Sequence, residues 1–180
     1  MPLQRQLILA AVMFVSIALH AQELSVGKLL VATKKSRDPD LGRAVILLVH
    51  FDGQGVIGLM LNRPSKVPLS DVLPELKNAK SLVYAGGPVT IGVRAVCRGT
   101  AKPEQAVRVL DDMFMVSIKP LLASVLAGGA CRVYAGYTGW SASQLKGEVS
   151  FGLWRVLPAT AAVVFDPHPE ELWAKLNAIR

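Results

Sequence analysis

The chain has 180 residues, 52% of them hydrophobic and 18% charged, with a formal net charge of +7. That length and apolarity exclude a disordered polypeptide and fit one domain with a core of its own. The basic charge is scattered, with Lys34, Lys35 and Arg37 as its one tight group. Nucleic-acid binding leaves instead a stripe with interleaved aromatics, so solubility is the simpler account.

In chain order, Arg5 precedes an uncharged run, Leu7 to Leu19, followed by His20-Ala21-Gln22. A charged start, a short apolar run and a small residue are the parts of a secretory signal. Residues 1–21 are expected to be a signal cleaved near Ala21, leaving one domain over 22–180 in the periplasm or outside the cell. An uncleaved membrane anchor is the alternative, although the run is short for a spanning helix. No spanning segment is expected in the mature chain, whose net charge falls to +6 with the loss of Arg5.

Val26–Thr33 reads as a strand. Arg43–Phe51, nearly continuous in aliphatic residues, reads as a strand buried on both faces. The turn DGQG and the run Gly55–Leu61 complete a hairpin, which ends at Asn62-Arg63-Pro64. Residues 68–80 read as a loop with one short helix capped by Ser70 and limited by Pro74. Ser81–Ala85 and Gly92–Arg98 are further strands, separated by Gly86-Gly87-Pro88-Val89. Val107–Leu110 and Met113–Ile118 form a hairpin around Asp111-Asp112. Lys119–Leu126 is a short helix with Pro120 in its first turn. Ala130–Tyr134, Leu153–Leu157 and Thr160–Phe165 are strand candidates, and the chain closes on a helix over EELWAKLNAI. Strands dominate and strict βαβ alternation is missing, so the class is α+β with much antiparallel pairing.

The segment Gly136–Trp154, GYTGWSASQLKGEVSFGLW, gathers aromatic and polar residues in an aromatic turn, a helix and a return into a strand. Ser141 is placed as an N-cap, Gln144 three residues on can close a capping box, and Trp140 with Leu145 forms a hydrophobic staple. Gln144 and Glu148, four apart, share one helix face.

The glycine-rich spots DGQG, AGGPV, AGGA and AGYTG match no phosphate-binding motif, and turn glycines explain them. No HExxH and no GxSxG elbow occurs, and the three histidines are scattered. No metal or cofactor is expected. Cys97 and Cys131 lie in strand-like runs without a CxxC partner. A disulfide between them and a pair of buried reduced thiols both fit the sequence.

The runs DPDLGRAVILLVH, GVIGLMLNRP, YAGGPV and GYTGWSASQLKGEVSFGLWRVLPA, in that order, resemble the YqgE/AlgH family over nearly all of the mature chain. The resemblance implies a bifurcated β-sheet curled into a pseudo-barrel and flanked by short helices. It also implies the label of transcriptional regulator, with no established reaction. The chain departs from the family's pattern in its signal-like start, in Cys97 where relatives carry a histidine, and in Ser143 and Lys146 around Gln144-Leu145.

Three functions compete. The first is an exported, non-enzymatic protein that binds a small anionic ligand or an envelope protein. Its site would be built from Asn62, Arg63, Gly86, Gly87, Trp140, Gln144 and Glu148. There Arg63 offers a planar fork for a carboxylate or phosphate, or else pairs internally with Glu148. The second is a nucleic-acid-binding regulator, which export would contradict. The third is an enzyme, for which Cys97 with His50 is the sole nucleophile–base pair to nominate.

Overall fold

The computed structural model describes residues 23–76, 81–99 and 103–179. The expected signal over 1–21 lies outside the described residues. Ten strands join one sheet: β1 (Lys28–Ala32), β2 (Val45–Phe51), β3 (Val56–Met60), β4 (Pro64–Pro68), β5 (Leu82–Ala85), β6 (Val89–Arg98), β7 (Val107–Leu110), β8 (Met113–Val116), β9 (Cys131–Trp140) and β10 (Trp154–Pro158). Among the described residues five short α-helices accompany them: α1 (Leu69–Val72), α2 (Ile118–Leu126), α3 (Ala142–Ser150), α4 (Ala161–Val164) and α5 (Leu172–Ala178).

The main strand order is β10-β1-β2-β3-β9-β6-β8-β7, with β4 and β5 off that path. Neighbours pair antiparallel, except that β5 runs parallel to β9. Strand β9 is the spine. One of its edges is held by β6, from Cys131 to Tyr137. The other edge is shared, with β5 at Tyr134 and Ala135 and β3 from Thr138 to Trp140. The sheet therefore forks along β9, and Gly136, at φ +74°, sits at the fork. The outcome is the expected α+β fold, an antiparallel sheet curled into a half-barrel with short helices.

The curl follows from burial. Val45, Leu47 and Val49 of β2 enter one cluster, while Ile46 and Leu48 enter another. Alternate residues of a strand face opposite sides, so β2 is buried on both faces, as its unbroken apolar run predicts. The first cluster also takes Leu29 of β1, Val96 of β6, Val109 of β7, Met113 of β8 and Tyr134 of β9. Strands from both ends of the sheet meet there, so this cluster is the inside of the curl. Val164 of α4 and Leu172 and Leu176 of α5 pack into it. The second cluster lies under α3, and a third packs α1 and α2 against β5, β6, β8 and β9.

Local chemistry explains several turns. In DGQG, Asp52 Oδ1 accepts from the amides of Gln54 at 2.7 Å and Gly55 at 3.0 Å, an Asx-type turn. Those amides, the first above all, hold the Asp52 carboxyl below its ordinary value, with His50 at 2.9 Å adding to the effect. Helix α3 ends as a Schellman motif. Gly152, at φ +74°, donates to Val149 O, and Leu153 donates to Glu148 O at 3.0 Å.

Three expectations need correction, and one strand comes in addition to those expected. Residues 160–165 do not form a strand. Thr160 caps α4 by accepting from the Val163 amide at 3.3 Å; a six-residue apolar run has no period that separates strand from helix. Residues 64–68 pair with β5 as an edge strand, the position in a sheet that tolerates proline. GYTGW is not a turn but the second half of β9. Ser70 lies inside α1, whose N-cap is Pro68 with no side-chain bond.

Candidate functional site

Three of the sequence motifs meet at the fork of β9. The amide of Met60 donates to Gly86 O at 2.9 Å, the amide of Ala85 to Arg63 O at 2.9 Å, and the amide of Gly86 to Ala135 O at 2.8 Å. A Cβ on Gly87 would stand 2.3 Å from the Tyr137 carbonyl carbon and 2.5 Å from the Thr138 amide nitrogen; one on Gly86 would stand 2.3 Å from Gly136 O. One on Gly136 would meet Val89 O at 2.4 Å. These neighbours are backbone and cannot swing aside, so two chain segments lie closer than any side chain allows. GGPV and AGYTG are thus the two halves of one backbone contact.

Asn62 is buried and bonded at both ends of its amide. Its Oδ1 accepts from the Val45 amide at 2.9 Å and its Nδ2 donates to Arg43 O at 2.8 Å. It acts as an extra rung at the start of β2. Arg63, next in sequence, is half-buried and makes one long contact, 3.5 Å to Asp40 O.

Glu148 has a different set of partners. Its Oε2 accepts from the indole N–H of Trp140 at 3.1 Å and of Trp154 at 2.7 Å, and its Oε1 accepts from Gln144 Nε2 at 2.9 Å. The two indoles meet edge to face, with centroids 6.1 Å apart, a favoured geometry for aromatic pairs. Ser141 caps α3 through its hydroxyl, which accepts from the Gln144 amide at 3.1 Å. The Gln144 side chain turns to Glu148 and does not close the box. Trp140 and Leu145 are both buried in the cluster under α3, as a staple requires. Arg63 and Glu148 make no ion pair among the described residues.

Cys97 of β6 and Cys131 of β9 are register partners, joined by a disulfide with Cα atoms 4.1 Å apart. Strands β3 and β9 stand between His50 on β2 and Cys97 on β6. No cluster of three or more metal-ligating side chains occurs among the described residues. Two clefts of about 530 Å³ lie elsewhere, one along Arg108–Asp112 and one between Pro103–Gln105 and α2; neither is lined by the seven nominated residues.

Sequence reasoning missed a cluster inside the curl. Arg94 of β6 stacks on the Tyr137 ring at 4.4 Å, and Arg132 lies over Tyr84 at 4.9 Å. Tyr134 is fully buried, with the Tyr84 ring 5.5 Å away. Burial pushes the Tyr134 phenol well above its ordinary value, and the Arg132 cation offsets part of that rise. The phenol is therefore a neutral donor at physiological pH. One signal was available: Arg94 interrupts the apolar alternation of VRAVC two residues before Val96, which faces the inner core.

A family model described as AlgH-like, DUF179, matches residues 29–178. A UPF0301 protein of Streptomyces coelicolor is 38% identical over 164 residues, covering 83% of each chain. The UPF0301 protein AlgH of Pseudomonas aeruginosa is 33% identical over 153 residues, covering 79% of this chain and 81% of that one. Among solved structures, a Corynebacterium diphtheriae protein superposes with a TM-score of 0.73 at 27% identity, covering 86% of each chain. The solution structure of AlgH from Pseudomonas aeruginosa superposes with a TM-score of 0.70 at 30% identity, covering 84% of this chain and 86% of that one.

Proposed function

This chain belongs to the AlgH-like DUF179 family, and we propose that within it the chain is an exported member that binds a small ligand or an envelope partner. The observation that carries this reading is the Cys97–Cys131 disulfide. Disulfides persist in oxidising compartments and are rare where glutathione keeps thiols reduced. The apolar run Leu7–Leu19 behind Arg5 supports the same compartment. Binding is favoured over catalysis because the one nominated thiol nucleophile is held in that bridge.

The contact surface in this reading is the exposed side of the fork. Of the seven nominated residues, Asn62, Gly86, Gly87, Trp140 and Glu148 hold the frame through the contacts above. Arg63, half-buried, and Gln144, exposed, are the two whose polar groups solvent reaches, with Arg63 supplying the charge.

Fractionation with N-terminal sequencing and thiol counting tests the proposal. The expected result is a chain beginning at Gln22, outside the cytoplasm, with no free thiol. Full-length protein in the cytoplasm with two reactive thiols would refute it and favour the regulator reading.

A further inference from the structure

We propose that Arg94 and Tyr134 form an anion site inside the curled sheet, taking one oxyanion group, a carboxylate or a phosphate. It is separate from the Arg63 surface and does not depend on export. Arg94 and Tyr134 are direct partners across the β6–β9 ladder, so their side chains rise from the same face. That face is the inner one, since Val96, two residues along β6, and Tyr134 itself both belong to the inner cluster.

The two side chains share an unusual state. Arg94 Nη1 and Tyr134 Oη are both buried, and neither has a hydrogen-bond partner among the described residues. Arg132, half-buried on β9, is the contrast, and Arg155 on β10 is intermediate, its terminal nitrogens bonded while its buried Nε has no partner among the described residues. Arg132 donates to Val164 O and Asp166 O, and Arg155 to Leu176 O and Ile179 O. Arg94 has no such carbonyl, and no carboxylate pairs with it among the described residues. A guanidinium cannot shed its proton to escape this position. A buried donor without an acceptor costs free energy, more so when it is charged. Both are donors on one face, one cationic and one neutral, with Arg132 adding positive charge near the phenol, and an oxyanion is the acceptor chemistry that suits them.

The surroundings fit that ligand. The guanidinium carbon lies over the Tyr137 ring at 4.4 Å, a cation–π contact that uses no N–H donor. Tyr137 reaches the inner side because the left-handed turn at Gly136 breaks the alternation of β9; Tyr134 and Tyr137 are an odd number of residues apart, yet both pack with the inner cluster. Access is by the bulge of β6. Thr90, Ile91 and Gly92 are exposed there, and a Cβ on Gly92 would stand 3.3 Å from Arg94 Nη1. The glycine, at φ +80°, keeps that approach open.

The test is NMR titration of the full chain with inorganic phosphate and, separately, with acetate. Saturable shifts are expected at the amides of residues 92–96 and 134–137, and the tighter anion identifies the class. Arg94→Gln should weaken binding by at least about tenfold, and Tyr134→Phe by about threefold or more, as loss of a charged and a neutral hydrogen bond requires. If Arg94→Gln does not fold, Arg94→Lys keeps the charge and loses the fork, and should also weaken binding. Shifts confined to other surfaces, or unchanged affinity in the Arg94 variant, would overturn the site. So would a crystal structure of the unaltered protein grown in phosphate with only water between Nη1 and Oη.

Discussion

Glu148 offers the sharpest check on how α3 is held. The perturbation is Glu148→Ala. Its carboxylate receives the indole N–H groups of two buried tryptophans, Trp140 at 3.1 Å and Trp154 at 2.7 Å, and the exposed Gln144 amide at 2.9 Å. Hydrogen bonds to a charged group contribute roughly 1.5–3 kcal/mol each. Glu148 is half-exposed, so the lower end applies to each indole, and the Gln144 contact adds little. The expected loss is about 3 kcal/mol, and the melting temperature of a domain this size should fall by about 6–12 °C. Glu148→Gln keeps one acceptor but turns an amide toward Gln144, and should cost about half as much. Urea unfolding is best followed by far-UV circular dichroism, because the affected indoles distort a fluorescence signal. A Glu148→Ala unfolding free energy within about 0.5 kcal/mol of the unaltered chain's would refute the reasoning, as would strict additivity with Trp154→Phe, since directly bonded residues should couple.

Gly87→Ala places a Cβ 2.3 Å from backbone and should destabilise by about 3 kcal/mol or block folding; Gly53→Ala, with nothing within 4 Å, is the control that should leave the melting temperature unchanged. Replacing both Cys97 and Cys131 by alanine opens a cross-link of sequence separation 34, which the loop-entropy relation places at roughly 3–4 kcal/mol; a change in urea stability below about 1 kcal/mol would contradict that relation here. The amide of His168, at 2.7 Å, and then Lys175 hold the Asp166 carboxyl below its ordinary value. A depressed folded value means the stabilisation is present above the unfolded carboxylate range and is lost as pH falls through the folded one. Stability measured from neutral to acid pH should therefore decline below about pH 4, and Asp166→Asn should flatten part of that decline; an identical acid slope in the variant would exclude Asp166 as a contributor.

The candidate site was legible in part. The composition of Asn62-Arg63-Pro64 marks a special hairpin end, but nothing local says that Asn62 closes β2 from 17 residues away. Gln144 and Glu148 stand out as polar residues on a helix otherwise accounted for by capping and packing. Their explanation needs Trp140 and Trp154, eight and six residues from Glu148, brought round by the cap before α3 and the Schellman turn after it. Arg94 is one charged residue in an apolar strand, and its place inside the curl is fixed only when the strand's inner face is known.

What the sequence determined by itself is whatever depends on neighbours along the chain. The β2–β3 hairpin follows from two apolar runs around an Asx turn, and the Ser141 cap and the Trp140–Leu145 staple from fixed offsets. The order of motifs is enough to identify the family. What the tertiary structure alone decided is whatever depends on contacts across the sheet. Within the short run at 160–165, residues 161–164 became a helix as Val164 was buried in the inner cluster, a contact its apolar pattern does not announce. The strand at 64–68 exists because β5 offers it a ladder. GGPV and AGYTG acquired their meaning when the fork of β9 pressed one backbone on the other. Glycine is required there by a distance between segments some fifty residues apart, and no window of sequence contains that distance.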